Sequence, residues 1–167
     1  MTTMTEARVT TQVYRAFIKA TPQAIWDAIT NPDWTAKYGY GGRGEFDLRP
    51  GGAYRAKAPD AMRAMGAPEV MVDGEIMEAD PPRKLVQTWR PLWDPGLVAE
   101  GHKRLTWEIT DAGEGVTALT VIHELEGAPK TAAMVAGTTD AAGGGGGWSW
   151  VLSDMKTLLE TGKSMAA

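Results

Sequence analysis

One histidine stands where it could take part in acid–base chemistry. His123 alternates with Leu119, Val121 and Leu125 along one apolar face of a predicted strand. Burial lowers the pKa of a histidine, so a neutral imidazole there could act as a general acid or base on a bound molecule. No carboxylate shares that face to orient the ring, and a hydrogen-bonded structural histidine is the alternative. The catalytic residues therefore stay unassigned, with His123 as the candidate.

The sequence lacks the residues that metal or thiol chemistry needs. The 167 residues include no cysteine, which excludes disulfides, thiolate catalysis and thiolate metal ligands. A zinc site needs about four His, Cys or carboxylate ligands. The two histidines, His102 and His123, are far apart in the chain. We therefore predict no metal and no cofactor.

Tryptophan is the more informative residue type. The chain has seven tryptophans against four tyrosines and two phenylalanines. Each tryptophan combines a large apolar ring with one N–H donor, and small-molecule sites are built from apolar walls with a few polar groups. We predict a ligand-binding set made of Trp34, Tyr38, Tyr54, Trp89, Trp107, His123 and Trp148. The alternative, that these tryptophans only fill a core, stays open.

The composition predicts one soluble, cytoplasmic domain. Hydrophobic residues make up 43% and charged residues 23% of the chain, which is ordinary for a globular protein. A net charge of −4 without a Lys/Arg run argues against a nucleic-acid partner. No segment approaches the roughly 20 apolar residues of a membrane span, so no membrane partner is expected. We predict a single domain over 1–167 with flexible tails at 1–8 and 161–167, and leave a homodimer open.

Hydrophobic periodicity predicts the elements that would position these residues. Apolar alternation predicts strands at 9–18, 44–48, 53–58, 70–79, 85–90, 105–110 and 116–125. Thr21-Pro22 and Asn31-Pro32 are helix starts. They predict two short helices, the second carrying Trp34 and Tyr38. The segments 59–69, 91–104 and 126–147 are predicted to be loops, and a bulge or bend is expected at Gly74.

The strongest predicted helix spans Trp148 to Glu160. Apolar residues recur there at helical spacing, at Trp148, Val151, Leu152, Met155, Leu158 and Leu159. Consecutive hairpin-like strands imply an antiparallel sheet, so the fold class is α+β. The helix must lay its apolar stripe on that sheet. A curved sheet of seven strands would leave a cavity beneath the helix.

Five consecutive glycines, Gly143 to Gly147, precede this helix. Glycine costs roughly 1 kcal/mol per residue relative to alanine in a helix, so the run resists helix formation. It could act as a hinge that gates the cavity, or it could be an inert loop, and both interpretations stay open.

Several segments, taken in order, resemble one known family. They are Tyr14 to Phe17 with Ala20 to Pro22, Ile25 to Pro32, Asp47 to Gly52, Gly74 with Asp80 to Leu85 and Thr88-Trp89, Thr117 to Thr120 with His123, and Gly147-Trp148 with Leu152 and Leu159-Glu160. Over 9–160 the chain resembles the bacterial branch of the activator of heat-shock-protein-90 ATPase homologue-like family. That branch belongs to the START-related SRPBCC, or polyketide-cyclase-like, superfamily.

The resemblance implies a helix-grip fold of the START/Bet v-like type. In that fold a curved antiparallel seven-stranded sheet surrounds a long C-terminal helix, two short helices follow the first strand, and a cavity lies between sheet and helix. Two departures concern the region of that cavity. Tyr38-Gly39-Tyr40 stands where the family usually has a tryptophan pair, and the glycine run before the last helix is longer.

Three functions are compatible with these observations. The leading one is binding of a small hydrophobic or aromatic molecule in the cavity, with Trp89, Trp107 and Trp148 as apolar walls and Tyr54 and His123 as polar contacts. The alternative is a polyketide cyclase or dehydratase-like enzyme that uses the same cavity, with His123 as acid or base. The third, taken from the family resemblance, is a protein that activates a chaperone ATPase. A fold-level likeness does not carry function, so it ranks last.

Overall fold

The computed structural model of the protein describes residues 10–137 and 145–166. Seven strands lie in these residues: β1 (Thr11–Ile18), β2 (Arg43–Phe46), β3 (Ala53–Lys57), β4 (Val70–Asp80), β5 (Lys84–Pro91), β6 (Lys103–Gly113) and β7 (Val116–Glu124). The same residues hold six helices: α1 (Pro22–Thr30), α2 (Pro32–Thr35), α3 (Asp60–Ala64), α4 (Pro95–Ala99), α5 (Pro129–Val135) and α6 (Gly147–Thr161). The predicted tail at 1–8 and the glycines Gly143 and Gly144 lie outside the described residues.

The seven strands form one antiparallel sheet in the order β1-β7-β6-β5-β4-β3-β2. Its register places Leu105 opposite His123 and Trp107 opposite Val121, with Leu85 opposite Trp107 on the other side. Because side chains alternate along a strand, these residues share the face that packs against α6. The predicted α+β class, with a seven-stranded antiparallel sheet and a long C-terminal helix, is confirmed as a helix-grip fold.

Two capped helices follow β1, as predicted. Thr21 caps α1 by accepting a hydrogen bond from the Ala24 backbone N–H at 3.1 Å. Asn31 caps α2 by accepting from the Asp33 N–H at 2.9 Å. Each helix has proline at its first position, where a missing N–H costs nothing. No helix in the described parts of the chain is long and apolar enough to cross a membrane.

The long helix α6 closes the fold on the inner face of the sheet. Its buried apolar side chains are Trp148, Leu152, Met155 and Leu158, four of the six residues in the predicted stripe. The helix ends at Gly162, whose φ of +83° is left-handed, a conformation that glycine adopts without steric cost. The sequence pattern therefore placed both the helix and its buried face correctly.

The structure corrects the second short helix and the three predicted loops. α2 ends at Thr35, so Tyr38 lies after the helix rather than within it. Gly39 and Gly41, with φ of +65° and +77°, have left-handed backbones, so the chain after Tyr38 is not helical. The segments predicted as loops contain α3, α4 and α5. Of these, α4 begins with the same signal as α1: Asp94 caps it by accepting from the Leu97 N–H at 3.1 Å.

The strand bounds differ from the predicted ones by a few residues, and the irregularity of β4 lies elsewhere than expected. The register of β4 against β5 shifts between Ile76 and Glu78, not at Gly74. Gly74 has a different role, because a Cβ there would overlap the backbone carbonyl of Thr88 on the neighbouring strand. The glycine thus permits close approach of β4 and β5 rather than a bulge.

Candidate functional site

The inner face of the sheet and α6 border a partly open cavity of about 610 Å³. Ligand pockets typically measure about 300–1,000 Å³, so this space suits a small molecule. Among the described residues that line it, none is Asp, Glu, Lys, Arg or His. The residues of the lining with polar side-chain atoms are Thr35, Tyr38, Tyr40, Tyr54 and four tryptophans.

Three tryptophans from three elements form one side of the cavity, here called the tryptophan wall: Trp89 of β5, Trp107 of β6 and Trp148 of α6. The rings of Trp107 and Trp148 meet edge to face, with centroids 5.4 Å apart. Those of Trp89 and Trp148 lie 5.7 Å apart. Such tilted and edge-on contacts between aromatic rings are favourable beyond the area they bury. The wall is therefore a rigid apolar surface, set by the sheet register and by the first turn of α6.

His123 supports the wall from behind and is not among the residues that line the cavity. Its Nδ1 accepts a hydrogen bond from Trp148 Nε1 at 3.0 Å, and its ring meets Trp89 edge on at 5.2 Å. Burial lowers the pKa of His123 to about 3, so the ring is neutral at neutral pH. Because Nδ1 accepts, the hydrogen of this neutral ring resides on Nε2. That nitrogen has no hydrogen-bond partner among the described residues.

Gln87 supports Trp107 in the same way. This role of Gln87 was not predicted from the sequence. The Gln87 side chain is almost fully buried, and its Oε1 accepts from Trp107 Nε1 at 3.1 Å. A polar residue between Leu85 and Trp89 on an inward strand face was the available signal. A buried amide needs a partner, and an indole N–H on the adjacent strand supplies one.

The segment 38–42 forms another side of the cavity and is tied to α6. Tyr40 accepts a hydrogen bond from the Gly146 N–H at 3.0 Å. The buried carboxylate of Asp154 accepts from the Gly39 N–H at 2.8 Å and from the Met165 N–H at 2.6 Å. Asp154 thus links a cavity-lining loop to the chain that follows α6, within the predicted tail 161–167.

Part of the glycine run is required for close packing at the start of α6. Gly145 and Gly147 line the cavity. Gly147 has φ of +62°, and a Cβ there would overlap the backbone carbonyl oxygen of Val135 at the end of α5. A side chain at this position would separate α5 from α6. The glycine run could be a hinge that gates the cavity or an inert loop. Gly143 and Gly144 lie outside the described residues, and both interpretations stay open.

Five of the seven residues predicted to bind ligand line the cavity: Tyr38, Tyr54, Trp89, Trp107 and Trp148. His123 lies behind them. Trp34 is not among the lining residues either. It is half-buried against the core, and the Lys37 ammonium lies 4.6 Å from its ring centroid. The lining also has an aliphatic and thioether part that the sequence patterns did not predict. It includes Met62, Met71, Met134 and Val151.

Comparison with solved structures supports the fold. The crystal structure of CalU16 from Micromonospora echinospora matches with a TM-score of 0.62 and 17% identity, covering 91% of this chain and 77% of that one. Protein MLL2253 from Mesorhizobium loti matches with a TM-score of 0.65 and 19% identity, covering 90% and 96%. PFC0360w from Plasmodium falciparum, described as an HSP90 activator, matches with a TM-score of 0.53 and 18% identity, covering 94% and 91%. At these identities the likeness concerns the fold alone.

Comparison with protein families identifies the family as well as the fold. Curated protein sequences give no significant match to this chain. Residues 19–160, from just after β1 to the last turn of α6, match the model of one family. The match includes the tryptophan wall, the segment 38–42 and the support residues Gln87 and His123. The chain belongs to the family described as activator of Hsp90 ATPase homolog 1-like protein.

Proposed function

We propose that this protein binds one uncharged, largely apolar molecule of aromatic character in the cavity between the sheet and α6. The observation that carries the proposal is the chemistry of the lining. Its described residues include no acidic or basic side chain, and one side of it is the tryptophan wall. An apolar or aromatic molecule would replace water against these rings, and each square ångström of apolar surface so buried contributes about 25 cal/mol.

The hydrogen bonds behind the wall support the same conclusion. The N–H groups of Trp107 and Trp148 donate to Gln87 and His123, and the Tyr38 hydroxyl donates to the Ala28 carbonyl at 2.7 Å. These donors are therefore not available to a ligand. A charged ligand group would lose its hydration here without gaining a charged partner, and that loss is costly.

The cyclase or dehydratase alternative would need an acid–base group in contact with the reacting atoms. His123 lies behind Trp89 and Trp148, and burial lowers its pKa to about 3. A proton donor or acceptor with that pKa is poorly matched to chemistry near neutral pH. No contact among the described residues favours this alternative over binding.

A set of naphthalene derivatives with one substituent at the same ring position tests the proposal. Isopropylnaphthalene is uncharged and apolar, whereas naphthoate has a substituent of the same number of heavy atoms with a negative charge. In equilibrium dialysis at neutral pH we expect saturable, one-to-one binding of isopropylnaphthalene. Naphthoate should bind at least about tenfold more weakly, a difference of about 1.4 kcal/mol, because its charge finds no partner.

Protein unfolded in denaturant provides the control for adsorption, since without the folded cavity it should show no saturable binding. Equal or tighter binding of naphthoate would contradict an uncharged ligand. No saturable binding of either compound, in protein with a cooperative thermal transition, would contradict the proposed function as a whole.

A further inference from the structure

The hydroxyl of Tyr54 is a deeply buried polar group of the cavity that donates no hydrogen bond to a described residue. Tyr54 lies on β3, lines the cavity and is only 8% exposed. Its ring packs on Phe46 with centroids 4.6 Å apart, which holds it in place. Among residues 10–137 and 145–166, no acceptor lies within hydrogen-bond distance of its O–H group. A tyrosine hydroxyl on an apolar cavity wall can donate to a ligand atom that accepts.

Two other hydroxyls of the lining, those of Tyr38 and Thr35, already donate within the protein. Tyr38, equally buried, donates its hydroxyl hydrogen to Ala28. The Thr35 hydroxyl accepts a hydrogen bond from the Gly44 N–H at 2.8 Å and donates one to the Pro32 carbonyl at 3.2 Å. Tyr40 accepts from the Gly146 N–H and donates to no described residue, but it is only half-buried. Tyr54 is therefore the more deeply buried of the two lining hydroxyls whose hydrogen is free.

The surroundings of Tyr54 keep that hydrogen in place. Burial raises the pKa of Tyr54 well above its ordinary value, and a hydrogen bond from Trp89 opposes this with a smaller effect. The phenol is therefore protonated throughout the physiological pH range. An indole N–H can only donate, so Trp89 cannot accept the hydroxyl hydrogen of Tyr54, which stays available to a ligand.

We propose that the ligand is a neutral aromatic carbonyl compound, of the aryl ketone or quinone class, and that Tyr54 donates a hydrogen bond to its carbonyl oxygen. A carbonyl is a strong acceptor that brings neither a charge nor a donor into the site. The aromatic body lies against the tryptophan wall, and the carbonyl faces β3. This inference rests on the proposed function and adds the chemical class of the ligand.

A third naphthalene derivative isolates the hydrogen bond. Acetylnaphthalene has the same heavy-atom skeleton as isopropylnaphthalene but offers a carbonyl oxygen. In the Tyr54→Phe variant we expect its dissociation constant to rise about threefold to tenfold, as a hydrogen bond of ordinary net strength implies. The dissociation constant of isopropylnaphthalene should not rise, because it makes no hydrogen bond.

Tyr38→Phe is the matched control, since it removes a hydroxyl whose hydrogen is already used inside the protein. It should change the affinities of the two compounds in parallel and leave their ratio as in the wild type. Parallel changes in Tyr54→Phe as well would overturn the assignment of Tyr54 while leaving the proposed function intact. If neither compound bound to the wild-type protein, the result would contradict both the proposed function and the assignment of Tyr54.

A spectroscopic measurement on the wild-type protein does not depend on any variant. The infrared carbonyl stretch of bound acetylnaphthalene should lie below its position in an alkane solvent, because a donated hydrogen bond weakens the C=O bond. A stretch at the alkane position would show that the carbonyl has no donor and would overturn the inference. In Tyr54→Phe the stretch should return toward the alkane value.

Discussion

Ligand binding is expected to be lost or strongly weakened when Ala56 is replaced by tryptophan. Ala56 lines the cavity from β3, where it pairs with Gly44 on β2 and Val72 on β4. All three are small or medium-sized and leave room on the inner face of the sheet. An indole at this position would occupy the space opposite the tryptophan wall. We expect the dissociation constant of isopropylnaphthalene to rise at least about tenfold.

The adjacent residue provides the control for this variant. Arg55 lies on the same strand with its side chain exposed on the opposite face of the sheet. Arg55→Trp adds an equally large side chain outside the cavity, so it should leave the dissociation constant within about twofold of the wild type. Equilibrium dialysis measures both variants. An Ala56→Trp protein that folds and binds as tightly as the wild type would contradict this location of the site.

Acid is expected to destabilise the protein through His123. The folded-state pKa of about 3 lies below the ordinary histidine value of about 6.5 in an unfolded chain. Between these pH values the unfolded chain holds a proton on this residue that the folded protein does not hold. The stabilisation is therefore complete above pH ~6.5 and is lost as the pH falls from ~6.5 toward ~3, at up to about 1.4 kcal/mol per pH unit.

The variant His123→Asn separates this effect from the titration of carboxylates. An asparagine side-chain oxygen can accept the Trp148 N–H that His123 Nδ1 accepts, but the amide does not titrate. Denaturant unfolding at pH ~6.5 and ~4.5 should show that the free energy of unfolding falls about 2 kcal/mol more in the wild type than in His123→Asn. The carboxylates are common to both proteins, so their contribution cancels.

An equal pH dependence in the two proteins would contradict a neutral, buried His123. The wild type alone provides a second test, which holds even if His123→Asn does not fold. In a proton NMR titration, the ring resonances of His123 should stay at their neutral positions down to pH ~4.

Much of the fold followed from local patterns because those patterns have a direct physical cause. Thr21-Pro22 starts α1 since threonine supplies the cap and proline has no N–H to satisfy. The apolar stripe that begins at Trp148 predicted α6 since a helix must bury one face. The helices α3 and α4 have five residues each and α5 has seven. Such short helices carry too few turns for a periodic signal, so they were predicted as loops.

The cavity lining was partly predictable for a similar reason. Alternation along β5 and β6 turned Trp89 and Trp107 inward, and helical spacing did the same for Trp148. Trp34 belongs to a helix of only four residues. So short a helix has no hydrophobic periodicity from which the orientation of Trp34 could be predicted. The support of Trp107 by Gln87 depends on the register between two strands. Register comes from the whole sheet and not from either strand alone.

The indole N–H resonances of the seven tryptophans test the central claim most directly. Each tryptophan gives one signal in a ¹⁵N-edited NMR spectrum, and single Trp→Phe variants assign them. On addition of isopropylnaphthalene we expect the signals of Trp89, Trp107 and Trp148 to shift along a common saturation curve. The signal of Trp26, which is buried in the core but does not line the cavity, should change much less.

That result would place the ligand against the tryptophan wall. Shifts confined to Trp26 and Trp34, or no saturable shift in any of the seven signals, would contradict binding of an uncharged aromatic molecule in this cavity.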